Sequence, residues 1–322
     1  MKRKFILPTL LVLGLAGAIG GTAQAQLGGL GGVMRALPVK PPGLPNILSG
    51  PQPVTTNIKD AIWADPSKDR FTPPSAVKPM TGLARSATGG FVLQAGYYEM
   101  LAQSYCLHAG THGPGGGDGY LLAPVKGSAK DAVESILRNS ATRPEIEQRD
   151  IQLLLWAIVA KAKFENLDNR LKLVATQLLT RNQLAGLNRS ALSVLTSSEL
   201  SAVTGGLPGP IRTVVETESR MRNMFSGTGS SYADFERLAV LGGAVPRGEG
   251  SVDTPASRWS QHPDGYWVRY KPNGYSNTLV QVWVPQGSGA IGKSYEPWLA
   301  IAAPGNTSRQ RLAQSARVYS QR

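Results

Sequence analysis

Among its 322 residues the chain has one cysteine and three histidines. A single cysteine excludes any disulfide within the chain, so the core must hold by burial alone. Long apolar runs are also missing. Beyond the first two dozen residues, no segment approaches the roughly 20 apolar residues of a membrane-crossing helix. Carboxylates are scarce, with 21 Asp and Glu against 34 Lys and Arg, and the formal charge is +13. Such an imbalance favours polyanionic partners.

The first residues read as an address. Lys2, Arg3 and Lys4 precede the apolar run "FILPTLLVLGLAGAIGG", and Ala23-Gln24-Ala25 has the small-x-small form of a cleavage site. Residues 1–25 are therefore expected to be a signal peptide, and the protein is expected to be exported to the periplasm, cell surface or medium. No cysteine lies at the cleavage point to carry a lipid anchor. Export moves the expected polyanion away from nucleic acid and towards lipopolysaccharide, anionic wall polymers or acidic glycans. The expected partner is an extracellular macromolecule, with neither nucleic acid nor a membrane span involved.

Residues 26–82 are rich in glycine and proline ("LGGLGG", "LPVKPPGLPNILSGPQP") and read as a tether or extended wrap, with "KDAIWADP" around Trp63 as an apolar island. From 83 to 245 the pattern reads as helical. "FVLQAGYYEMLAQSYCL" has apolar residues at helical spacing, and "AKDAVESILRN" follows Ser128 as an N-cap. Thr142 and Glu145 have the spacing of a capping box ahead of "PEIEQRDIQLLLWAIVAKAKF". Further helices are expected at 167–184, 190–203 and 210–224, with a shorter one at "YADFERLAVLGG". Residues 246–322 change to alternation. "GYWVRYKP" and "SNTLVQVWVP" flank Asn273-Gly274, a strong hairpin signal, and "PWLAIAAP" reads as a third strand. The expected fold class is α+β: a mainly helical central domain followed by a small antiparallel β module.

The chemistry centres on "QSYCLHAGTHGP", where Cys106 is followed by His108, His112 and a glycine run. An unpaired thiol in an oxidising compartment is a liability unless it is buried, coordinated or chemically masked. Gln152, in "DIQLLLWAI", lies one helical turn before Trp156, so the two share a face. An amide buried there without a partner costs about 1–3 kcal/mol, so something must satisfy it.

Tyr105-Cys106, followed some forty residues on by "IQLLLWAI", resembles the thioester domains of bacterial surface adhesins. In those domains a cysteine after Tyr, Phe or Leu is joined to the glutamine of a T-Q-x-A-I-W motif. The resemblance places the thioester pair on Cys106 and Gln152 and the motif tryptophan on Trp156. It departs at Ile151, which stands for the threonine, and at Leu154-Leu155, which stand for Ala-Ile. It covers about a sixth of the chain, Tyr105–Ile158. It implies an adhesion or binding protein that acylates a nucleophile on its target in a single turnover, without a cofactor. His108 and His112 are candidate bases for forming the bond.

Other readings use the same residues differently. Cys106 can be an inert core residue and Gln152 can bond a neighbouring backbone. Cys106, His108 and His112 are zinc ligands by type, with Asp118 or His262 to supply a fourth, but their spacing is not a standard set. Cys106 with His262 and Asp264 gives a thiol hydrolase. A non-catalytic envelope or matrix protein would use the basic surface and the aromatic strands, with Trp267, Arg269 and Tyr270 joining Trp156 as binding candidates for an anionic polymer or glycan.

Overall fold

The computed structural model describes residues 50–62, 64–115 and 117–320. The expected signal peptide, the Gly/Pro stretch as far as 49 and Trp63 lie outside the described residues.

The strands are β1 (Val77–Pro79), β2 (Phe91–Val92), β3 (Gly96–Cys106), β4 (Thr111–His112), β5 (Tyr120–Pro124), β6 (Val240–Leu241), β7 (Ser260–Gln261), β8 (Trp267–Pro272), β9 (Asn277–Val284), β10 (Ser294–Tyr295), β11 (Ala300–Pro304) and β12 (Leu312–Val318). Six of them close a ring in the order β3, β12, β11, β5, β8, β9 and back to β3, every pair antiparallel. Closure leaves no open edge among these six to recruit another chain. β1 adds to β3 in parallel, and β7 adds to β8. The remaining four form the pairs β2–β10 and β4–β6.

All described α-helices lie between β5 and β6: α1 (Lys130–Ser140), α2 (Gln148–Val159), α3 (Asn169–Leu178), α4 (Arg181–Ser190), α5 (Ser197–Thr204), α6 (Gly209–Ser226) and α7 (Tyr232–Ala239). They are one insertion into a barrel, and they share its core. A single buried cluster takes Tyr98 and Met100 from β3, Val280 and Val282 from β9, Ile136 from α1, Trp156 from α2 and Phe235 from α7.

This architecture overturns the expected fold class. The stretch read as a helix over 91–107 is β2 and β3, the longest strand of the barrel, and the C-terminal strands are its neighbours rather than a separate module. The cause is burial on both faces. Tyr97 and Tyr105 of the outward parity are buried along with Tyr98, Met100, Ala102 and Cys106 of the inward one, and the exposed position between them is the apolar Leu101, so the alternation of polar and apolar residues that marks a half-buried strand is blurred.

The hairpin at Asn273-Gly274 is present: Trp267 pairs with Trp283, and Gly274 has φ +71. The capping box expected at Thr142 is not. Thr142 donates its hydroxyl to Asn139 O at 3.2 Å, and α2 begins only at Gln148. Ser128 likewise donates to Gln52 O at 3.1 Å instead of capping α1. The helix expected over 167–184 is broken in two by Thr180, whose hydroxyl accepts from the Gln183 N–H at 3.3 Å to start α4.

Residues 50–62 behave as a wrap. The Thr55 N–H donates to Lys126 O at 2.9 Å, the Thr56 hydroxyl donates to Pro124 O at 2.8 Å, and Val54 and Ile58 are buried.

Candidate functional site: a glutamine laid along the cysteine strand

The site begins where β3 outruns its neighbour. Strand pairing with β9 ends at Gln103 opposite Asn277, and the Ser104 N–H then donates to Ser276 O at 2.9 Å. Successive peptide groups of a strand point alternately to the two sides. Residue 107 bonds towards β12, its N–H donating to Arg311 O at 3.0 Å. Cys106 therefore turns its N–H and C=O to the side that β9 no longer covers.

Gln152 fills that side. The Cys106 N–H donates to Gln152 Oε1 at 2.8 Å, and Gln152 Nε2 donates to Cys106 O at 3.0 Å. One carboxamide thus does the work of a missing strand residue. One helical turn earlier, Gln148 Nε2 donates to Ser104 O at 3.2 Å and Ser276 O at 2.6 Å. The spacing is matched: four residues of helix rise about 6 Å, and two residues of strand about 6.6 Å. Two glutamines at i and i+4 can therefore bond residues i and i+2 of a strand running beside the helix.

Cys106 is fully buried and Gln152 is 2% exposed. Trp156, also fully buried, stacks on Tyr232 with ring centroids 5.7 Å apart and lies 6.4 Å from the ring of Tyr275. The Tyr275 hydroxyl donates to Glu236 Oε1. Tyr275 has one proton to give, so the 2.9 Å contact between the two tyrosine hydroxyls is donated by Tyr232. Burial pushes the Cys106 thiol well above its ordinary pKa, and the charge of Glu236 raises it further. The resting site therefore holds a neutral thiol, with the charge of Glu236 acting on it.

A cleft of about 790 Å³ reaches this cluster from outside, lined by Gln148, Gln152, Tyr232 and Tyr275 at its inner end. Arg85, Arg149 and Arg317 line it as well, against the single carboxylate Glu147. Glu147 is taken up by Arg149 at 2.6 Å, so the lining keeps a positive excess.

The candidates named from sequence separate. Cys106, Gln152 and Trp156 come together. His108 and His112 do not join them: both line a second cavity, and His108 is held through Nε2 by Arg311. Trp267, Arg269 and Tyr270 are buried in the barrel wall. Arg269 lies 4.3 Å above the Trp259 ring and donates from Nε to Gln281 Oε1 at 2.9 Å. His262 stacks on Tyr266 at 4.4 Å, with Nδ1 3.4 Å from Asp264. Asp118 pairs with Arg309 at 3.0 Å. Among the described residues no group of three or more His, Cys, Asp or Glu is placed to hold a metal ion.

His108 gives a pH prediction. Burial, followed by the Arg311 charge, holds it well below its ordinary 6.5. Its neutral form is therefore the folded one, and the stability it supports is intact above pH 6.5 and lost as pH falls below it. Urea titrations from pH 7.5 downwards should show a slope of up to about 1.4 kcal/mol per pH unit from this group, and H108Q should flatten it. An unchanged slope in H108Q would place the acid sensitivity elsewhere.

Sequence reasoning missed Gln148, Tyr232, Glu236 and Tyr275. Gln148 was legible, since it repeats Gln152 one turn earlier on the same face. The other three are brought in by α7 and the β8–β9 turn, and nothing local marks them. No family model, no curated protein and no solved structure matches the chain.

Proposed function

We propose that this is an exported binding protein in which Cys106 and Gln152 form an internal thioester that acylates a nucleophile on an extracellular macromolecule. One observation carries the reading: the carboxamide of Gln152 is bonded at both ends to the main chain of the residue that owns the thiol, in a buried pocket at the inner end of an open cleft. The Cys106 N–H at 2.8 Å from Oε1 is also an oxyanion donor, polarising the carbonyl that the sulfur attacks.

The step balances without a co-reactant. The thiol proton passes to Glu236, and sulfur adds to the carboxamide carbon. The C–N bond then breaks, and ammonia leaves with the proton returned to it. Trp156 and its aromatic neighbours keep water from the acyl bond. A target amine or hydroxyl entering by the cleft would then take the acyl group and free the thiol. The arginines along the cleft suit a target with acidic groups near its nucleophile.

A second reading is favoured by the same two hydrogen bonds: Gln152 is a structural latch for the end of β3, and the basic cleft binds an anionic polymer without chemistry. One experiment decides between them. Under the thioester reading, the intact mature chain weighs less than its own sequence from the cleavage point onwards by one ammonia, and its thiol resists alkylation until treatment with methylamine. Full mass with a thiol that alkylates on unfolding, without amine, leaves the latch.

A further inference from the structure

The positive excess of the cleft belongs to two residues. Glu147, the carboxylate on its wall, is shared by Arg149 at 2.6 Å and Arg170 at 3.6 Å. Arg85 and Arg317, which also line the cleft, are held by main-chain carbonyls instead, and neither meets a carboxylate among the described residues. Arg85 donates from Nη1 to Gly89 O at 2.9 Å, with its guanidinium 3.9 Å above the Phe91 ring. Its Nη2 is 3.5 Å from the carbonyl of Ala316, the residue before Arg317. Arg317 donates from Nη2 to Ile146 O at 2.8 Å and to Pro144 O at 3.4 Å, and its Nη1 is buried without a hydrogen-bond partner. Carbonyls orient a guanidinium but leave its charge uncompensated. Two fixed cations on one wall repel, a cost that a bound anion removes.

We propose that the cleft binds a phosphorylated sugar, its phosphate monoester on Arg85 and Arg317 and its ring against Tyr319, Ser276 and Ser320, which line the same cleft. A phosphate monoester carries about −1.5 to −2 charges at neutral pH, which matches two arginines without a counter-charge, whereas a uronic acid brings one. Arginine is suited to phosphate oxygens because its planar fork can donate two parallel hydrogen bonds. The tyrosine ring offers a flat apolar face with a polar tip, and the serine hydroxyls can exchange hydrogen bonds with those of a sugar. The inference rests on the cleft being the binding face, which both readings above share, and not on the acyl bond.

The test is calorimetric titration of the full chain with glucose 1-phosphate, glucuronate, inorganic phosphate and glucose. Glucose 1-phosphate should bind saturably and at least tenfold more tightly than any of the other three. Arg317→Met should weaken it at least tenfold. Arg317 also ties down two carbonyls, so Arg85→Met, at an exposed position, provides an independent variant; it should weaken glucose 1-phosphate at least tenfold with an unchanged circular dichroism spectrum. Intact mass of the same samples reads the loss of ammonia separately, so the sugar-phosphate site and the thioester can each fail without the other. Absence of saturable glucose 1-phosphate binding, glucuronate or inorganic phosphate binding as tightly, or wild-type affinity in folded Arg85→Met would each overturn the proposal.

Discussion

Gln152→Leu should lower the unfolding free energy by about 2–6 kcal/mol, because it orphans two buried main-chain groups at about 1–3 kcal/mol each. Leucine has nearly the same volume, so little of the loss is cavity. The groups affected are the N–H and C=O of Cys106, which no strand covers on that side. Urea unfolding followed by tryptophan fluorescence reads the loss, and Gln148→Leu provides the scale. Among the described residues Gln148 bonds through Nε2, and it sits at a part-buried position, so its loss should be the smaller. A Gln152→Leu variant within 1 kcal/mol of wild type would show that water reaches the strand end, and the dry pocket required by the thioester reading would not exist.

Glu236→Gln should keep the fold and slow bond formation by about 10²–10⁴-fold, the usual contribution of a positioned general base. Glutamine retains an oxygen to accept from Tyr275, so the Tyr232–Tyr275–236 chain stays hydrogen-bonded. It cannot take the proton of a thiol whose pKa burial has already raised. Refolding from urea and following the loss of ammonia by intact mass gives the rate directly. A rate equal to wild type would remove Glu236 from the mechanism, and loss of structure in Glu236→Gln would make the carboxylate a structural member of the cluster.

The sequence marked Cys106 and Gln152, which the structure joins through the main chain of Cys106, more legibly than the fold that brings them together. Gln152 stood out because a polar side chain on an apolar helix face requires a partner, a demand that holds whatever the topology. Its partner is the backbone of Cys106, one of the alternatives that the residues leave open. β3 was illegible for the opposite reason. Its outward parity mixes Tyr97, Leu101 and Tyr105 with Glu99 and Gln103, so no clean polar side marks the strand, and "YYEMLAQSYC" fits either period. The aromatic enrichment of Tyr97, Tyr98 and Tyr105 was the available clue. The capping-box spacing at Thr142 misled because Thr142 turned back to the end of α1. The histidines misled by proximity. Two residues of extended chain beyond Cys106 carry the His108 ring to the cavity of Arg311, a displacement that linear distance does not show.

The ring of strands also sets an order of events. Cys106 faces Leu312 across the β3–β12 pair, so the main-chain neighbour on its far edge is made roughly two hundred residues after it, beyond the whole helical insertion. Contacts so distant along the chain form late and slowly, because a long loop must close before they return any energy. During refolding in the presence of an oxidant the thiol is therefore open to attack before it meets shelter. The interval before β12 docks is when a protein of this design is most exposed to mixed disulfides, and a reducing or chaperoned route to the folded state would protect it most.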